Sequence, residues 1–202
     1  MSVQKGRRKR SGFEVFDKMY VLRRDITDLL LRDFGYKRAK AIKGLEKRFG
    51  GRPYEQLSDA EKHNYDITLK RHDAFAQWYV PQERQVIINY LREANAELHM
   101  ANSIMPEYWS ELEERRLHQD KAIGYLTNLE QELMYIIESM PVDINTYTRF
   151  SDQINNEIVL IKAWRKSDNK FKSKLIENEK KRNPENASDI FKHFLSYLKI
   201  ID

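Results

Sequence analysis

"LEERRLHQDKAIGYLTNLEQELMYIIESM", Leu112 to Met140, decides the fold class. Its apolar residues Leu112, Ile123, Leu126, Leu129, Leu133, Ile136 and Met140 recur at helical steps, so they gather on one side of an α-helix. On a strand, where side chains alternate between faces, the same residues would be divided. Met105-Pro106 and Met140-Pro141 bracket the stretch, and proline disfavours helical geometry in the residue before it. The spacing predicts a helix over about 107–140, with Trp109 at the head of its seam.

A rod with one greasy seam must bury it against other rods. The flanking sequence supplies them. Upstream, Val86, Tyr90, Leu91, Ala94, Leu98, Ala101 and Ile104 form a narrow stripe over Pro81 to Ile104. Downstream, Tyr147, Phe150, Ile154, Ile158 and Ile161 form another, with Asp143 or Asn145 as its cap. Near the start, Ser11 and Glu14 have capping-box spacing, and Phe16, Met19, Leu22, Ile26, Leu29 and Leu30 carry a first helix to about Asp33. No convincing strand alternation occurs. Rods joined by short breaks predict an all-α, antiparallel up-down four-helix bundle over 11–175.

The stretch at about 36–79 predicts an inserted helical hairpin. Its first arm carries Tyr36, Ile42, Leu45 and Phe49 and stops at Gly50-Gly51. Ser58 and Glu61 repeat the capping-box spacing, and Pro81 is expected to start a new helix or kink the old one. Residues 1–10 are expected to be a flexible basic arm. Residues 176–202, with "EKKRNPENASD" at their start, are expected to be a polar linker and a short amphipathic C-terminal helix.

Seven Gly and five Pro among 202 residues suit such a helical chain. The absence of Cys excludes disulfides and cysteine-ligated metals. No apolar run approaches the ~18–20 residues of a membrane span, and the basic start has no apolar stretch after it. No membrane partner and a cytoplasmic protein are the expectation.

Motifs of catalysis are missing. No Glu precedes a His by three residues, the spacing a di-iron bundle needs, and no HExxH or phosphate-binding glycine loop occurs. The five His are scattered and read as surface or hydrogen-bonded residues. Glu111, Glu113 and Glu114 beside Arg115 and Arg116 read as surface pairs along one helix. We therefore expect no catalytic residue, no metal and no cofactor.

Net charge is +5, and its distribution matters more. Lys5, Arg7, Arg8, Lys9 and Arg10 precede any acid. Eight basic and two acidic residues lie between Arg32 and Arg52, and eight basic and three acidic between Arg165 and Arg182. Separated basic segments suit RNA or DNA, whose phosphates cations neutralise with release of counterions. The candidate nucleic-acid contacts are Arg7, Arg8, Lys9 and Arg10, with Arg165, Lys166, Lys170, Lys172 and Lys174 on a last rod that leaves the bundle near Trp164. A second class of function remains open: a helical assembly or scaffold protein without a nucleic-acid role, which would dock through Phe49, Tyr54, Phe75 and Trp78 or through the apolar residues of the tail.

"SGFEVFDKMYVLRRDI" and Glu114 to Lys170, which ends "MPVDINTYTRFSDQINNEIVLIKAWRKSDNK", resemble one known family. It joins the 23S rRNA intervening-sequence proteins to Avd, the accessory variability determinant of diversity-generating retroelements. The resemblance covers about 130 residues and leaves out the 36–78 region and everything after Lys174. It implies a non-enzymatic four-helix bundle assembled as a basic pentamer, with a reverse transcriptase and nucleic acid as partners and mutagenic reverse transcription as its setting.

Overall fold

The computed structural model describes residues 13–182, and all regular structure among them is helical. The helices are α1 (Glu14–Leu31), α2 (Arg38–Arg48), α3 (Asp59–Ser103), α4 (Trp109–Ser139), α5 (Ile144–Ser167) and α6 (Lys172–Arg182). None among the described residues is long and apolar enough to cross a membrane. The basic residues 1–10 and the tail from 183 onward lie outside the described residues.

The four longest helices pack in a closed cycle: α1 against α3 and α5, and α4 against α3 and α5. Met19, Leu22 and Ile26 of α1 meet Ile87 and Leu98 of α3, Leu126, Leu129 and Leu133 of α4, and Phe150, Ile154 and Ile161 of α5 in one buried cluster. Each such side chain gains ~1.5–3 kcal/mol on leaving water, most of it offset by lost chain entropy. Trp164 and Tyr147 are buried there, as their stripes require.

Several local expectations are corrected. The first helix begins at Glu14 on Phe13, with no side-chain cap, and ends at Leu31 rather than Asp33; Ser11 lies outside the described residues. Pro81 does not divide α3, which runs 45 residues through it. Tyr79 and Val80 before the proline and Ile87 after it are buried in one cluster. Packing on both sides thus keeps the helix continuous across the N–H that proline lacks. Trp109 heads α4 half-buried rather than in the core; its indole donates to Glu113 (2.9 Å).

A strained turn links α1 to the insertion. Asp33, Phe34 and Gly35 have φ of 48, 58 and 74°, and Phe34 is fully buried. Left-handed backbone is costly for a bulky residue, so neighbours must impose it. The Tyr147 hydroxyl donates to the Phe34 carbonyl (2.7 Å), and Arg84 pairs with Asp33 at 2.6 Å.

The insertion has its own core. Leu45, Leu57 and Tyr65 are buried together, with Phe49, Tyr54 and Leu69 packed on them. Gly50 and Gly51, both left-handed, close α2 as expected, and the Gly51 N–H reaches back to Glu46 (2.8 Å). The Ser58–Glu61 capping box forms, with the Ser58 N–H donating to the Glu61 carboxylate at 2.9 Å. So α2 and the first part of α3 make a separate small unit on the end of a long helix. Phe49 and Tyr54 are largely consumed by it, Phe75 stacks on Tyr79 at 5.0 Å, and Trp78 is left 58% exposed.

The C-terminal end departs most from expectation. The last rod does not run on to residue 175. It breaks at Asp168, turns through a 3-10 segment (Asp168–Phe171), and resumes as α6. Residues 176–182, expected as linker, are helical.

Candidate nucleic-acid interface

The elbow between α5 and α6 is a buried polar node. Arg115 of α4 donates to both carboxylate oxygens of Asp168, from Nε (2.9 Å) and Nη2 (3.2 Å). Its Nη1 donates to the carbonyls of Ala101 (2.9 Å) and Ile104 (2.7 Å), groups a helix end leaves without partners. Gln119 donates to Asp168 at 2.9 Å, and the Arg115 guanidinium lies 4.9 Å from the Trp164 ring. Both charges are buried, so removing either would strand the other. The expected surface pairing of Arg115 and Arg116 with Glu111, Glu113 and Glu114 is therefore corrected. Arg115 binds inward, and the buried Arg116 donates to Asn169 (3.1 Å).

From this anchor α6 folds back on the head of α4. The Trp109 N–H donates to Glu179 (3.2 Å), and Asn178 donates to the Glu107 carbonyl (2.9 Å). The chain's basic end does not leave the molecule near Trp164, because a buried ion pair turns it round there.

The expected site residues divide accordingly. Arg165 pairs with Asp120 at 2.5 Å, and Lys174 lies 4.0 Å from Glu107. Lys172 is half-buried. Lys166 and Lys170 are exposed, and no carboxylate among the described residues forms an ion pair with either; the Lys170 ammonium lies 5.0 Å from the Phe171 ring. Arg7, Arg8, Lys9 and Arg10 lie outside the described residues. Lys162, missed from the sequence, is exposed one turn before Lys166; its signal was the four-residue spacing.

Elsewhere the polar groups are less organised. His118 of α4 meets Glu97 of α3, and Lys121 stands 3.9 Å from the same carboxylate. His99 stacks on Phe16 at 4.8 Å. Among the described residues no three His, Asp or Glu converge as a metal site would need. Glu157 of α5 is fully buried, and neither carboxylate oxygen has a hydrogen-bond partner. Burial pushes its carboxyl up to about 8, with Glu14 adding and Lys18 opposing. It lies near Glu14 and Lys18 of α1, inside the packed helices.

Compared with protein-family models, with curated proteins and with solved structures, the chain matches none.

Proposed function

We propose that this chain is a non-catalytic accessory subunit that binds nucleic acid through its phosphates. The closed cycle of α1, α3, α4 and α5 is read as an antiparallel four-helix bundle with a helical insertion. The observation that carries the proposal is the row of exposed cations at the anchored end of α5: Lys162 and Lys166 one turn apart, then Lys170. Cations without carboxylate partners, held on a pinned helix end, are pre-positioned for phosphate. Such contacts fix position without reading sequence.

The resemblance of residues 114–170 to Avd gives the reading its setting. A reverse transcriptase is the protein partner, a homopentamer the assembly, the cytoplasm the compartment, and mutagenic reverse transcription the process supported. Filter binding of an RNA stem-loop at two salt concentrations tests the nucleic-acid part. The expected result is affinity that falls steeply with salt, and more weakly in a Lys162→Gln, Lys166→Gln, Lys170→Gln variant. Absent or salt-insensitive binding overturns it. Light scattering tests the assembly: a strict monomer contradicts the pentamer.

The scaffold alternative keeps one observation in its favour. Trp78 is exposed at 58%, and Met134 and Tyr135 of α4 are also exposed. A helical partner covering them would shift Trp78 fluorescence on mixing.

A further inference from the structure

The second basic segment, 32–52, is where the structure adds most. On α2, Lys40, Lys43 and Lys47 step by three and four along the face opposite buried Ala41 and Leu45. All three are exposed, as are Lys37 and Arg48. Three acids of this unit are engaged elsewhere, while Glu55 and Asp59 stand exposed off α2. Asp73 takes Arg38 at 2.9 Å, Glu61 takes Arg52, and Asp66 accepts from the Tyr54 hydroxyl at 3.0 Å. Glu46, the one acid of α2, is half-buried and acts on Tyr65. No carboxylate among the described residues forms an ion pair with Lys40, Lys43 or Lys47.

The start of α2 points the same way. A helix N-terminus carries partial positive charge and is stabilised by a capping side chain and early acids. This one has neither: Lys37 is the cap residue, no side chain caps it, and no acid lies in the first turn. Lys37 and Lys40 instead add positive charge to the positive end of the dipole, beside an Arg38 that Asp73 pairs. That arrangement costs stability in the free protein, and a phosphate placed there would relieve it.

The support is a packed unit. The unit has its own buried cluster and sits where about 24 Å of α3, from Asp59 to Phe75, runs beyond the main core, at 1.5 Å per residue. We propose that α2 is a second phosphate-contacting element, a lysine-faced tip that grips the nucleic-acid backbone away from the row on α5. This rests on the nucleic-acid reading above and extends it to a part of the chain that the family resemblance does not reach.

The test compares four full-length proteins: wild type, the triple variant Lys40→Gln, Lys43→Gln, Lys47→Gln, its charge-keeping counterpart with Arg at the same positions, and the α5 variant described above. The probes are an RNA stem-loop and a DNA duplex of equal length, with polyglutamate as a polyanion lacking phosphate. The α2 Gln variant is expected to flatten the slope of log affinity against log salt by about two to three, since each neutralised phosphate contributes ~0.7–0.9. The Arg variant should keep the wild-type slope. Wild-type slope and affinity in the α2 Gln variant, with loss in the α5 variant, overturns this inference and leaves the proposed function standing. Absence of nucleic-acid binding by the wild type overturns both. Equal binding of polyglutamate overturns phosphate recognition at the tip.

Discussion

The elbow at Asp168 and the tip at α2 carry the same number of basic residues in sequence and treat them in opposite ways. At the elbow, Arg115 is buried against Asp168, Arg165 meets Asp120, and Lys174 approaches Glu107. At the tip, Lys40, Lys43 and Lys47 stand exposed along a helix whose own first turn holds no acid. A basic count cannot distinguish the two, because it does not show which cations the fold already neutralises. The buried pair acts on architecture: it turns the chain and fixes α6. The exposed stripe does nothing visible for stability, and that makes it the better candidate for a ligand.

The largest expected effect tests the elbow. Asp168→Ala strands the Arg115 charge and should cost ~3–5 kcal/mol, read as a lowered denaturant midpoint. A loss under ~1 kcal/mol would make the node a surface contact and erase the contrast. Next comes Glu157, a buried carboxyl of α5. Its folded pKa of about 8 lies above the unfolded carboxyl value of about 4.3. The folded protein therefore holds a proton that the unfolded chain releases. This contribution is fully present below pH ~4 and is lost as pH rises through about 8. Urea melts should show stability falling by a few kcal/mol across that window, and Glu157→Gln should flatten the fall.

Smaller effects belong to the tip. Ser58→Ala breaks the capping box where α3 begins and should cost ~1 kcal/mol, seen first as faster amide exchange around Tyr65 and Leu69. Smallest of all, neutralising Lys40, Lys43 and Lys47 should leave stability within ~0.5 kcal/mol. A thermal melt lowered beyond that would mean the lysines hold the fold together, and the comparison would fail from the other side.

The α-class was legible because apolar steps of three and four leave no alternative, and Gly50-Gly51 and Ser58/Glu61 marked real helix ends. Polar residues inside a seam were not. Between Leu112 and Leu126 the buried positions are Arg115, Arg116, Gln119 and Ala122, and a seam read from hydrophobicity alone skips them. That gap was itself a signal, since a buried face does not lapse for three turns. Glu157, three residues after Ile154, was hidden in the same way. Pro81 misled in the opposite direction: local chemistry allowed a new helix start there, and α3 runs through it without one. Of the site, Lys166 and Lys170 were legible as exposed cations, whereas the engagement of Arg165 depends on a partner 45 residues away.

Lysine footprinting shows whether both basic rows meet RNA: amine labelling of the whole protein, read by mass spectrometry with and without saturating RNA. Bound RNA should protect Lys40, Lys43 and Lys47 together with Lys162, Lys166 and Lys170, with little change at Lys181, which Glu177 holds at 2.6 Å. Unchanged labelling at all six lysines while RNA is bound would contradict it.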